Sequence, residues 1–400
     1  MPIVESLTHL GLGRLDDGKT FVPRVLPGEV IDLVEDGSPR ILTPSPDRVA
    51  PPCRHFKTCG GCAMQHASDD FVAAWKQEIV RKAVSAQGLS PDFRRIATSP
   101  AQSRRRAKFA GQRTKKGVQL GFHARGSDMI VPVPDCQLIT PGLLAAFPTL
   151  EALIPIAASR KSRVAFTVTD SGAGPDIVVD TSVDLTPQLR IDLAAFAQRH
   201  RIARLVWQDE VIVTLAPPLQ RFDGIAVVPP PGAFLQATAH GEASLRAAVA
   251  EIVGPARRVI DLFAGCGTFG LPLSKAAEVH AVEGDAAMIA ALDRGWREAS
   301  GLKRVTSTVR DLFRRPLEPD ELAGFDAAVI DPPRAGAVAQ IATLARSAIP
   351  TIAMVSCNPV TFARDAKTLT DAGYRCDWVQ VVDQFRWSAH VELVAAFTRV

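Results

Sequence analysis

Apolar runs alternate with helical segments through the last third of the chain, and no other feature constrains the fold as much. RRVIDLF, AEVHAVEGD, FDAAVIDPP and TIAMVSCNP read as strands, separated by segments such as DAAMIAALDRGWREASG that read as helices. Strand, loop and helix repeated in this way imply a parallel sheet wrapped by helices. The expectation is a doubly wound α/β unit over residues 233–400.

The loops of this unit carry its chemistry. VIDLF runs into AGCGTFG, where Gly265, Gly267 and Gly270 let the backbone turn sharply and approach a ligand at the carboxyl end of the strand. The next strand ends in Glu283, about 20 residues on, where a carboxylate can accept hydrogen bonds from ribose hydroxyls. That pairing fits a nucleoside-bearing cofactor. The GxxxxGK[ST] pattern of a nucleotide P-loop is missing, and S-adenosylmethionine (SAM) is preferred over NAD or ATP. A further strand ends in DPPRAG, carrying Asp331, and another in VSCNP, carrying Cys357. Both deliver polar groups to the edge that holds the glycine loop. A cysteine at a strand end beside a methyl-donor site suggests a nucleophile in covalent catalysis, whereas Cys266 and Cys376 read as small buried apolar groups.

The rest of the 400-residue chain divides into two smaller units. Residues 1–50 hold TFVPRVLPGEVIDLVED and PRILTP, short β-branched runs split by Pro, Gly and Asp, as in a small barrel. The Pro-rich TPSPDRVAPPC is a stiff connector into residues 51–232. There DDFVAAWKQEIVRKAVSAQGL places Phe71, Trp75, Ile79 and Val80 at helical spacing. The following SRRRAKFAGQRTKKGVQLGFHARG concentrates Arg104, Arg105, Arg106, Lys108, Arg113, Lys115, Lys116 and Arg125 among strand-like alternation. A basic sheet face that contacts nucleic-acid phosphates is expected, against the plainer alternative of a solvated surface.

The stretch CRHFKTCGGC holds three of the seven cysteines, spaced C-x5-C-x2-C. The composition, 47% apolar with 22% charged, is that of a soluble protein, no run is long enough to span a bilayer, and MPIVESLTHLGLG lacks a signal-peptide pattern. The expected compartment is the cytoplasm. Thiols stay reduced there, so clustered cysteines point to metal ligation or catalysis. The spacing also departs from the C-x3-C-x2-C of enzymes that cleave SAM reductively.

Taken in order, CRHFKTCGGC, FLQ, DLFAGCGTFG, DPPRAG, SCNPVTFARD and HVE resemble the SAM-dependent RNA uracil-C5 methyltransferases, and more closely their iron-sulfur branch that modifies 23S ribosomal RNA. The resemblance covers nearly the whole chain. It implies a Rossmann-like SAM domain preceded by a TRAM/OB-like barrel and a central α+β iron-sulfur domain. It makes Cys357 the nucleophile and Glu392 the general base, with Gln236, Phe263, Thr268, Glu283, Asp311 and Asp331 at SAM. It also makes Cys136 a fourth ligand beside Cys53, Cys59 and Cys62 for a [4Fe-4S] cluster, with zinc as the alternative. The implied partner is RNA, 23S rRNA before transfer RNA, offering a flipped or single-stranded uridine to a monomeric enzyme. A non-catalytic RNA-binding protein with a zinc-ribbon site is the competing reading. Two positions differ from many relatives: Pro333 stands where Ala is common, and Thr268 where Asn is common.

Overall fold

The computed structural model describes residues 1–34 and 37–400; the Glu35–Asp36 end of the VIDLVED run lies outside the described residues. The alternation of the last third becomes a sheet of seven strands: β1 (Arg258–Leu262), β2 (Glu278–Glu283), β3 (Val305–Val309), β4 (Ala327–Ile330), β5 (Thr351–Ser356), β6 (Tyr374–Asp383) and β7 (Leu393–Arg399). Their order is β3-β2-β1-β4-β5-β7-β6. β1 to β5 are mutually parallel, while β7 runs antiparallel between β5 and β6. Strand order reverses between β1 and β4, so the crevice beyond their carboxyl ends is the natural ligand site of such a sheet.

Alternate residues of each strand feed separate cores on the two faces of this sheet. Ile260, Leu262, Ala328 and Ile330 face one core, and Val259, Ala327 and Val329 the other. Burial on both faces explains why these strands read as unbroken apolar runs.

Helix α1 (Asp69–Ser85) is capped by Ser68, whose hydroxyl accepts from the Phe71 N–H at 3.2 Å. Val72, Trp75, Lys76, Val80 and Val84 form its buried stripe. The sequence reading keeps this segment within 51–232; Val80 and Val84 join the core of the catalytic sheet, while Val72 and Trp75 pack with Leu26 and Met64. Short strands Asp92–Phe93 and Ala97–Thr98 then extend β6 in parallel. Helical spacing predicts an apolar stripe without saying which sheet it covers.

The central unit has its own seven-stranded sheet, in the order Ile130–Pro132, Gly117–His123, Arg106–Thr114, Arg163–Asp170, Pro175–Asp180, Arg204–Trp207, Glu210–Thr214. At the N-terminus, strands Val4–Leu7, Leu12–Leu15 and Phe21–Pro23 form one small sheet and Val30–Leu33 with Pro39–Thr43 another; they are bridged at Ile3 and Val30 around Val4, Leu15, Val22, Val25 and Ile31. Among the described residues no helix is long and apolar enough to cross a membrane.

The expected basic face is only partly present. Lys108, Lys115, Lys116 and Arg125 are exposed, but Arg105 is buried, pairing with the Glu242 carboxylate and donating from Nε to the Gln236 carbonyl at 3.1 Å. Arg106 donates to the Gly232 carbonyl at 2.9 Å. Part of the arginine run therefore joins the central sheet to the catalytic unit, because acceptors from residues 232–242 lie within reach.

Candidate active site

The end of β1 turns through Phe263, whose φ of 60° puts a non-glycine residue in the left-handed region. Gly270 closes the loop: its N–H donates to Asp261 Oδ2 at 2.9 Å, and an added Cβ would sit 2.7 Å from that oxygen. Asp261 is fully buried, and burial pushes its carboxyl up to about 8. Glu283, at the end of β2, accepts from the Gly265 N–H at 3.0 Å with one oxygen and from Gly284 and Asp285 at 2.7 and 3.0 Å with the other. The glycine loop and the β2 carboxylate are thus locked together.

Phe263 packs on Phe313, with ring centroids 5.3 Å apart, and Asp311 accepts from the Phe313 N–H at 2.9 Å. Thr268 lies half-buried in the same loop. These groups form a cradle with an acidic rim and an aromatic wall, suited to a nucleoside and its ribose. Gly265, Gly267 and Gly270 stand in the GxGxxG register common to dinucleotide sites, so the loop alone does not separate SAM from NAD.

The adjoining strand ends supply the remaining groups. Cys357 follows β5 and precedes Asn358, which caps the helix Pro359–Asp371 and donates from Nδ2 to the Arg334 carbonyl at 2.9 Å. That bond ties the cysteine turn to the DPPRAG turn. The Cys357 thiol is pushed up to about 12, first by burial and then by the Glu392 and Asp331 carboxylates, with Arg334 opposing. Glu392 is only 2% exposed; burial, then the nearby Asp331, raises its carboxyl well above the ordinary range. Burial likewise raises Asp331 to about 7.

A chain of amides connects these acids. Gln236 donates from Nε2 to Asp331 at 3.3 Å, and Gln384 donates from Nε2 to Gln236 Oε1 at 2.5 Å and to Glu392 at 3.0 Å. Eight residues singled out in the sequence therefore gather at one edge of the sheet. Gln384 was not among them. It ends the apolar run VVDQ, and a polar side chain at a strand end was the available but weak signal.

Four of the other six cysteines form a separate group. Cys53, Cys59, Cys62 and Cys136 line one pocket beside Phe56 and Phe122, on the core of the central unit. Burial raises the Cys53 and Cys59 thiols and pushes Cys62 up to about 12. Gly60 is needed for close backbone contact, since an added Cβ would lie 2.8 Å from the His123 carbonyl oxygen. Among the described residues no group of three or more His, Cys, Asp or Glu side chains is placed to hold a metal ion. The donor set, four thiols around an apolar pocket, is nonetheless the chemistry that thiolate-bound metals require.

Comparison with known proteins supplies the family. The family model described as tRNA (Uracil-5-)-methyltransferase matches residues 298–400. A Rhizobium meliloti protein named as an uncharacterized RNA methyltransferase is 43% identical, over 97% of this chain and 96% of its own length. The 23S rRNA (uracil(1939)-C(5))-methyltransferase RlmD of Klebsiella pneumoniae is 32% identical, over 97% of this chain and 93% of its own. The fold is that of the Pyrococcus abyssi tRNA (uracil-54, C5)-methyltransferase solved with S-adenosyl-L-homocysteine, at a TM-score of 0.76 and 23% identity, covering 100% of this chain and 99% of that one. Identity at this level along nearly the whole chain resolves the cofactor ambiguity of the glycine loop: the protein belongs to the tRNA/rRNA uracil-5-methyltransferase family and is a SAM-dependent RNA (uracil-C5) methyltransferase.

Proposed function

We propose that this enzyme methylates carbon 5 of a uridine in 23S rRNA through a covalent adduct with Cys357. Carbon 5 of uracil is a weak nucleophile. Addition of the Cys357 thiolate to carbon 6 moves electron density onto carbon 5 and its conjugated carbonyl. SAM supplies the methyl group that carbon 5 then attacks. Glu392 takes the proton remaining on carbon 5, and the electron pair of that bond re-forms the double bond as the Cys357 sulfur leaves carbon 6. A helical uridine cannot reach either group, so the target base is single-stranded or flipped.

The observation that carries this reading is the approach of the Asp331 and Glu392 carboxylates to Cys357 at the carboxyl edge of the sheet, each group raised by burial. A raised carboxyl suits a group that must hold a proton in one step and lose it in another. Gln236, Phe263, Thr268, Glu283, Asp311 and Asp331 are the proposed SAM contacts. The choice of 23S rRNA rests on the 32% identity with RlmD. The site of action then follows the substrate into the cytoplasm, with the enzyme working as a monomer.

Cys53, Cys59, Cys62 and Cys136 are the proposed ligands of a [4Fe-4S] cluster, whose chemistry here is to cross-link two segments of the central unit. Residues 1–50 and 51–232 would hold the RNA, and 233–400 the catalytic groups. Mass-spectrometric mapping of 5-methyluridine in ribosomal and transfer RNA, from cells with and without the protein, tests the substrate. Loss from one 23S position is expected; loss from transfer RNA alone overturns it. Brown anaerobic protein is expected, whereas colourless protein with stoichiometric zinc overturns the cluster.

A further inference from the structure

Gln384 lies between the two halves of the site, and its surroundings fix which way its amide faces. Its Oε1 accepts from the Ala237 backbone N–H at 2.7 Å. A backbone N–H can only donate, so that contact must be the amide oxygen. The Nε2 group is then directed at Glu392 Oε2, 3.0 Å away, and at Gln236 Oε1, 2.5 Å away. Accepting that bond turns the Gln236 amide so that its own Nε2 meets Asp331 at 3.3 Å. One backbone donor thereby sets the polarity of the whole chain from Glu392 to Asp331.

The side chain has no room to do otherwise. Gln384 is 1% exposed, and a Cβ added at Gly241 would lie 2.6 Å from the Gln384 Cβ, so the first turn of helix Ala239–Val253 presses directly on it. The preceding residue, Asp383, is itself held by the buried Lys76 ammonium at 2.5 Å. Both protons of the Gln384 amide nitrogen are engaged, one toward each half of the site.

We infer that Gln384 is a positioning residue for Glu392 and Gln236, holding the carboxylate by one oxygen so that the other faces the uracil. The inference rests on Glu392 acting as the base in the proposed function. Gln384 touches neither the reacting carbons nor the methyl donor; it acts through the two side chains it holds.

Gln384→Met keeps the length of the side chain and removes both amide groups, while Gln384→Glu keeps the shape and replaces the donating nitrogen. Full-length holoenzyme is assayed with RNA carrying tritium at carbon 5 of uridine. Methyl incorporation reads transfer, tritium release reads proton loss, and a denaturing gel reads the covalent protein–RNA adduct. For Gln384→Met, tritium release is expected to slow about tenfold relative to methyl transfer, the scale of one lost hydrogen bond to a charged group. Adduct accumulates, and the pH profile of release moves to more alkaline values because the bond that favoured the carboxylate is gone. SAM affinity falls by a smaller factor than release does, since Gln236 keeps its bond to Asp331.

A structural role alone lowers SAM binding, transfer and release by the same factor, and that outcome in both variants overturns the inference. If Gln384→Met does not fold, Gln384→Glu carries the test with the same expected split between transfer and release. Glu392→Gln run in parallel separates the two levels of the argument. Adduct with Glu392→Gln but none with either Gln384 variant sinks the positioning role alone, and no adduct with Glu392→Gln sinks the base assignment beneath it.

Discussion

Two groups of cysteines in this protein share a residue type and differ in everything that surrounds them. Cys357 stands alone at a strand end, faced by the Glu392 and Asp331 carboxylates and by Arg334. Cys53, Cys59, Cys62 and Cys136 come from loops and line one apolar pocket on the core of the central unit. A thiol facing ionisable groups in a ligand crevice is set up to gain and lose a substrate. Thiols facing one another are set up to be bridged. The contrast teaches that cysteine chemistry here is read from neighbours, and that crowding in the sequence marks the proposed metal site.

The largest expected effect breaks the comparison at its catalytic end. Cys357→Ala should reduce methylation to background in a tritiated-SAM assay, while Glu392→Gln should slow adduct release by about 10²–10⁴-fold, the usual worth of a general base. Normal turnover by either would remove the distinction between the two groups of cysteines.

Next in size is the joint between the regions. Lys76 and Asp383 form a fully buried pair linking α1 to the end of β6, and the Lys76 ammonium also donates to the Phe385 carbonyl at 3.0 Å. Lys76→Met leaves the Asp383 carboxylate buried without a counter-ion and should cost about 3–5 kcal/mol in urea unfolding. Adding Asp383→Asn should recover part of that loss. A neutral single variant would mean that the pair does not hold the Glu392 loop.

Cys136→Ser tests the other end. If these thiols hold the proposed cluster, it should remove the iron colour, and it should lower the melting temperature by about 1–3 °C, the shift expected for one or two kcal/mol in a chain of this size. RNA affinity falls, while SAM affinity measured by calorimetry stays as it was. Loss of SAM binding would merge what the comparison separates.

Legibility in the sequence followed the same division. The parallel strands β1, β2, β4 and β5 were readable because burial on both faces leaves unbroken apolar runs, and the groups at their carboxyl ends could be assigned to one edge from topology alone. Lys76 and Gln384 were not readable. Lys76 interrupts an apolar stripe, and nothing local indicates that its partner is Asp383 in a distant strand. Arg105 illustrates the opposite failure: in a run of arginines it reads as a surface cation, yet Glu242, far along the chain, draws it inside. Spacing reports on one element at a time, whereas buried polar pairs depend on which elements meet.

The smallest expected effect concerns the reactivity of the solitary thiol. Iodoacetamide reacts with the thiolate, and the Cys357 thiol in the free protein is pushed up to about 12. Below that value the thiolate fraction grows with pH, so alkylation of the Cys357 peptide should rise about tenfold per pH unit between neutral and mildly alkaline solution. Arg334 is the cation that opposes the two carboxylates, and it is exposed. Its field at the sulfur is therefore screened, and Arg334→Ala should slow alkylation only about two- to fivefold, less at high salt. Asp331→Asn should act in the opposite direction, since removing a neighbouring negative charge favours the thiolate. Equal rates in both variants would mean that burial alone sets this thiol, as burial leads at Cys62, and the electrostatic half of the contrast between the two groups of cysteines would be lost.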